Sequence, residues 1–168
     1  MKDIIIMSNR FILRTLNQDD VSDRYLKWLS SLNNPHIRFA RKKHNLKDVK
    51  SYVSQREKDD NVLFLGIFVR DNNEHIGNIK YEPIDIDKHQ ASMGILIGEN
   101  HWRGKGVATE VINASSNWLK KNLGIRDFFL GVDLSNKSAI KAYEKSGFEK
   151  TGKLLDSENV IKMQLNLN

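Results

Sequence analysis

The chain has 168 residues, 27 Lys and Arg against 21 Asp and Glu for a net charge of +6, and no cysteine. That length suits one domain around one buried core, expected over residues 1–168, and the absent thiols exclude disulfides and thiol catalysis. The charge favours anionic partners without choosing among nucleic acid, nucleotide and phosphate, and MKDIIIMSNR holds too short an apolar run for a signal peptide or membrane span, so a cytoplasmic protein is expected.

RFILRTL (Arg10–Leu16) alternates apolar and polar residues as a half-buried strand does, and NQDD after it offers a helix cap. The spacing of Val21, Tyr25, Trp28, Leu29 and Leu32 predicts a helix over Val21–Ser31, stopped by Asn33-Asn34-Pro35. Next comes ARKKH (Ala40–His44), the densest basic run, which reads as a solvated loop or as a contact for an anionic substrate. A second helix is expected over Leu46–Lys58, with Asn45 as cap and Val49, Tyr52 and Val53 on its apolar side. The period then changes. Val62–Arg70 and His75–Tyr81 around the turn DNNE read as a hairpin, and a polar loop, EPIDIDKHQ, leads to a strand, ASMGILI (Ala91–Ile97). From there the expected order is helix Val107–Leu123, strand Phe128–Val132, helix Lys137–Ser146 and closing strands Phe148–Leu154 and Val160–Leu167. This is an α/β chain with a central sheet.

Between the strand Ala91–Ile97 and the helix at Val107 lies HWRGKGVATEV (His101–Val111). A strand that runs through glycines into a helix leaves the first helical N–H groups unpaired at the positive end of the dipole, which suits a phosphate. Gly104 and Gly106 lack the Cβ atoms that would keep a bulky anion from the main chain, Arg103 and Lys105 add charge at the rim, and Thr109 offers a hydroxyl. The bland alternative is a tight turn that needs flexible residues. A P-loop does not fit, because Gly98 to Gly104 is one residue too long and Gly106 follows Lys105 where Ser or Thr is required. A dinucleotide fingerprint would put its third glycine at Thr109, and no run of parallel βαβ units follows.

Arg103-x-x-Gly106-x-Ala108 resembles the acyl-CoA pyrophosphate loop of the Gcn5-related N-acetyltransferase (GNAT) family. ASMGILIGENHW before it resembles that family's fourth strand, and NKSAIKAYEKSGF after the next strand resembles its second CoA motif. The resemblance runs from about Ala91 to Thr151, with the first ninety residues agreeing in the order of elements. It implies a mixed, mostly antiparallel central sheet, splayed between its fourth and fifth strands, with helices on both faces and acetyl-CoA as cosubstrate in the gap. The implied reaction is acetyl transfer to a primary amine by direct attack in a ternary complex. Main-chain groups at Ile95, Leu96 and Ile97 would meet the pantetheine amides, and Arg103, Gly104, Lys105, Gly106, Val107, Ala108 and Thr109 would hold the pyrophosphate. Asn136 matches the family's hydrogen-bonding partner of the pantetheine arm, and Tyr143 its thiolate-protonating tyrosine. Read without the resemblance, Ser135 or Asn136 caps a helix, Gly147 ends it, and Tyr143 is a core aromatic whose hydroxyl reaches the surface.

One position departs from the family pattern. The glutamate that many relatives carry early in the fourth strand is replaced here by Ser92, so Glu82 is the preferred general base, with Glu99, Asp133 and His89 behind it. RFILRTLNQDDVSDRYLKWLSS resembles the subgroup of ribosomal-protein N-terminal and polysaccharide-biosynthesis acetyltransferases. The expected acceptor is an amino sugar, free or nucleotide-linked, with a protein N-terminus or a small-molecule amine such as a polyamine or antibiotic as the alternative. A non-catalytic CoA-sensing module is the alternative from another class. No metal, membrane or nucleic-acid partner is expected, since Trp28, Trp102 and Trp118 are spaced as core or site-wall residues and not as a stacking platform. A homodimer built on the C-terminal strands is what the family suggests.

Overall fold

The computed structural model describes residues 3–29, 45–153 and 159–168; the basic run Ala40–His44 and the end of the first expected helix lie outside them. The strands are β1 (Ile5–Met7), β2 (Phe11–Thr15), β3 (Leu63–Val69), β4 (His75–Asp85), β5 (Gln90–Ile97), β6 (Asp127–Asp133), β7 (Glu149–Lys153) and β8 (Val160–Asn166). The helices are α1 (Asp23–Trp28), α2 (Leu46–Glu57), α3 (Val107–Leu123) and α4 (Lys137–Lys145).

Caps explain most of the helix bounds. Asn45 and Asp48 form a reciprocal capping box that starts α2, and left-handed glycines, Gly106 and Gly124, bracket α3. The helix expected from Val21 starts at Asp23 instead. Asn17 and Asp20 close a capping box of their own around a 3-10 turn, and Ser22 then caps α1 by accepting from the Tyr25 N–H.

All eight strands join one sheet in the order β1-β2-β3-β4-β5-β6-β8-β7. β1 carried no sequence expectation, since three residues of which only Ile6 is buried are too few to show an alternation. β4 also runs past Tyr81 to Asp85, where a polar loop was expected: Ile84 and Asp85 still pair with Ala91 and Gln90, while Glu82 and Pro83 bulge out of register. Every neighbouring pair is antiparallel except β5 with β6.

That parallel pair places the site. Only Gln90, Ala91 and Ser92 pair with Asp127, Phe128 and Phe129; beyond them β5 stays with β4 and β6 stays with β8, so the sheet opens toward the C-terminal ends of both strands. This is the splay expected between the fourth and fifth strands, counted without β1. One face packs α3 and α4 over Phe11, Ile79, Tyr81 and Phe128, with the Tyr81 hydroxyl 2.8 Å from Ser115 Oγ. The other packs α1 and α2 over Leu16, Phe64 and Leu96.

Candidate active site

The free edge of β5 forms one wall of the gap. Gly98 N–H donates to Ile76 O at 2.8 Å, and Leu96 and Ile97 lie opposite Asn78 and Gly77. Antiparallel ladders alternate bonded and non-bonded pairs, so Leu96 turns its main-chain groups toward Asn78 while Ile95 and Ile97 turn theirs to the gap. Arg103 Nε accordingly donates to Ile97 O at 3.1 Å. Of the three residues expected to meet a ligand arm through their main chain, Leu96 does not face it, and its side chain is buried under α1 and α2.

The turn after β5 is built as an anion cradle. Gly104 and Gly106 are left-handed, with φ of 72° and 73°, and Gly106 is the N-cap of α3 with no side-chain cap bond. The first intrahelical bond runs from Glu110 N–H to Gly106 O, so the N–H groups of Gly106, Val107, Ala108 and Thr109 have no partner within the helix. A Cβ at Gly104 would project into open space, and Arg103 is exposed. The Lys105 ammonium lies 5.6 Å from the Trp102 ring. Val107 is buried in the core, where it anchors the helix start.

Across the gap, α4 follows β6. Asn136 Oδ1 accepts from Ala139 N–H and Ser138 Oγ, both at 3.2 Å, so this residue and not Ser135 is the cap, and the Asn136 Nδ2 donors remain uncommitted among the described residues. Tyr143 packs its ring 5.9 Å from Phe148, and its hydroxyl has no hydrogen-bond partner among the described residues. Burial pushes its phenol up to about 12.

The face under α1 and α2 carries the preferred base. Glu82 lies on the β4 bulge beside Ser92, the last residue of β5 before the splay. Its two oxygens meet Lys80 Nζ at 2.5 Å and Arg56 Nη2 at 3.4 Å. Lys80 also donates to the Tyr52 hydroxyl at 2.6 Å, and the Arg56 guanidinium stacks 3.8 Å from the Tyr52 ring centre. Gly94, opposite Lys80, leaves this face open, for a Cβ there would touch nothing within 4 Å. Of the other base candidates, the two carboxylates are committed elsewhere, and His89 is placed by its main chain. Glu99 pairs with Arg24 and accepts from Trp28 Nε1, Asp133 accepts from Ser135, and His89 sits at the closed end of the splay, with its O accepting from Arg126 N–H. Glu74, Glu99 and His101 bring ligand-type atoms within 4.8 Å of one another, and Arg24 lies between the two carboxylates at 3.8 and 3.4 Å and offsets one of their two charges.

A protein-family model described as an acetyltransferase (GNAT) domain matches residues 10–149. The chain belongs to the GNAT acetyltransferase family. Among curated proteins, the uncharacterized N-acetyltransferase p20 of Bacillus licheniformis is 32% identical over 92 residues, which are 55% of this chain and 51% of that protein. The chain thus spans about half the length of that relative. Among solved structures, RimL, a ribosomal L7/L12 alpha-N-protein acetyltransferase in complex with coenzyme A, has a TM-score of 0.86 at 15% identity over 98% of both chains. The microcin C7 self-immunity acetyltransferase MccE, in complex with acetyl-CoA and AMP, has a TM-score of 0.82 at 19% identity over 95% of this chain and 93% of that one. These two likenesses are of fold.

The residues of this GNAT domain fit a CoA thioester. Unpaired N–H groups and two rim cations suit a diphosphate, and the free edge at Ile95 and Ile97 suits the amides of an extended arm. Arg10 escaped the sequence reading. Its Nε bonds Glu110 Oε2 at 2.7 Å, its N–H bonds Glu110 Oε1 at 2.7 Å, and its Nη1 reaches Lys105 O at 3.0 Å. The one available signal was Glu110 itself, an acid in the first turn of a helix whose start should receive an anion, which calls for a cation beside it.

Proposed function

We propose that the protein is an acetyl-CoA-dependent N-acetyltransferase that acylates a primary amine by direct attack within a ternary complex, and that its acceptor is an amino sugar, free or nucleotide-linked. The observation that carries the donor half is the sheet splayed after Ser92 and running into the left-handed turn at Gly104 and Gly106. The thioester supplies the activated carbonyl. Ile95 and Ile97 hold the arm by main-chain bonds, Asn136 Nδ2 donates to it, and a main-chain N–H of the same edge faces the developing oxyanion.

As the amine nitrogen bonds to the carbonyl carbon, the C–S bond breaks and its electron pair leaves on sulfur. Glu82 takes one proton from the ammonium and so frees its lone pair, the second proton leaves to solvent as the amide forms, and Tyr143 gives the thiolate its proton and recovers one from solvent. Both Glu82 oxygens are engaged, so an incoming ammonium must displace Lys80 or Arg56 before it can hand over its proton. An acceptor bearing an anionic group rewards that exchange, because the displaced cations then meet the anion. A sugar nucleotide has such a group, and the solved MccE complex, which holds AMP together with acetyl-CoA, supports a nucleotide-bearing acceptor on this fold. A cytoplasmic location and a dimer through the C-terminal strands belong to the same reading; β7 is an edge of the sheet.

Thiol release from acetyl-CoA tests this reading across UDP- and dTDP-amino sugars, peptides with free N-termini, polyamines and aminoglycosides. The protein contributes no background, having no cysteine. Release with the sugar nucleotides above the other classes is expected. Preference for another class would overturn the acceptor, and silence across the panel with CoA binding intact would favour a CoA sensor.

A further inference from the structure

The turn that receives the diphosphate contains a peptide unit with two available orientations. Gly106 adopts φ of 73°, and glycine populates positive and negative φ about equally, so the plane between Lys105 and Gly106 can turn over at small cost. In a trans peptide the C=O and the following N–H point opposite ways. With Lys105 O turned inward, the Gly106 N–H points outward, where a phosphate would lie. With the plane reversed, a carbonyl oxygen would face the phosphate and repel it.

One side chain selects between the two. Arg10 Nη1 donates to Lys105 O at 3.0 Å, and the nearest atom to a Cβ built on Gly106 is Arg10 Nη2 at 3.8 Å, which puts the guanidinium directly behind the turn. That guanidinium is itself held. Its Nε and its backbone N–H each meet Glu110 at 2.7 Å, and Ser8 Oγ donates to the same carboxylate at 2.7 Å. Glu110 therefore ties the β1–β2 turn to α3, and its charge near the helix start is offset by a cation before an anion arrives.

Resting on the donor reading above, we propose that Arg10 is a positioning residue that locks the Lys105–Gly106 peptide with its N–H toward the diphosphate. The planar fork of arginine bonds the carboxylate through Nε and the carbonyl through Nη1, whereas a lysine donates from one nitrogen that cannot occupy both of those positions. Arg10→Lys thus keeps a cation beside Glu110 and releases Lys105 O.

The test compares two donors on the full chain: acetyl-CoA by calorimetry, and acetyl-pantetheine, which lacks the diphosphate, by ligand-observed NMR. For Arg10→Lys we expect acetyl-CoA affinity to fall about tenfold while acetyl-pantetheine affinity stays within about twofold and Tm is unchanged. Arg10→Gln repeats the comparison with a neutral side chain and should give the same split. Equal losses for both donors, or acetyl-CoA binding as in the native protein, would overturn the lock. A native protein that binds no acetyl-CoA would instead sink the donor reading, a separate and recognisable failure.

Discussion

Tyr143 stays a phenol across the range in which an amine loses its proton, because burial pushes it up to about 12. It is thus in the protonated form that a donor needs, while the same burial makes it a weaker acid than a free phenol. Tyr143→Phe keeps the ring against Phe148 and removes the hydroxyl alone. We expect acetyl transfer to drop about 100-fold while the calorimetric Kd for acetyl-CoA holds; loss of binding in proportion would make Tyr143 a wall of the site and not its acid. The raised value also predicts a pH–rate profile with no falling limb from this group below about pH 11. The resemblance to a CoA motif singled out Tyr143, but its environment came from the fold. Asn136 is the complementary case, for its capping role was legible from its neighbours and the structure only had to choose it over Ser135.

The docking of α1 depends on a residue far along the chain. A Cβ built on Gly98 would collide with the indole of Trp28, whose Nε1 donates to Glu99 Oε1 at 3.1 Å and whose ring stands edge-on to His75 at 5.1 Å. Trp28 is buried and packed against Tyr25 and His75. Gly98→Ala must therefore displace α1, at about 1–3 kcal/mol as overpacking typically costs, seen as a Tm lower by about 5 °C. Acetyl-CoA affinity should change little, since the turn at Gly104 and Gly106 hangs on α3. A Tm equal to that of the native protein would show that α1 shifts freely. Of the elements, α2 and α3 were legible because Asn45-x-x-Asp48 and the bracketing glycines act within a turn or two of the chain. The start of α1 was not, because two capping signals follow one another and both are used.

Acid should weaken the molecule through His75, which the site does not use, and through Glu110, which holds Arg10. His75 is buried against Phe68, with ring centres 4.5 Å apart, and burial pushes it down to about 4. The unfolded chain takes up that proton near pH 6.5 and the native protein only near 4, so the unfolded state binds more protons in between. Stability contributed by neutral His75, about 3 kcal/mol, is present above pH 6.5 and lost as pH falls toward 4. Burial acts to raise the Glu110 carboxyl, but hydrogen bonds from the Arg10 N–H, Ser8 and the Arg10 guanidinium outweigh it and hold the group below the usual range, so its share is also lost in acid. Thermal melts between pH 7 and 4 should show the decline, and His75→Phe should flatten it; a variant curve as steep as the native one would remove His75 as a cause. Local sequence names the partner in none of these pairings, although Glu110 in the first turn of α3 calls for some cation beside it. The alternation of Arg10–Leu16, the helical period of Val107–Leu123 and the glycines of HWRGKGVATEV are set by backbone preferences over a few neighbouring residues, and they were readable as such. The open half of the β5–β6 edge, the inward side of Leu96 and the reach of Arg10 to Lys105 and Glu110, 95 and 100 residues away, follow from register and packing. Those are properties of strands and helices brought together, and chain spacing cannot encode which face a distant partner will meet.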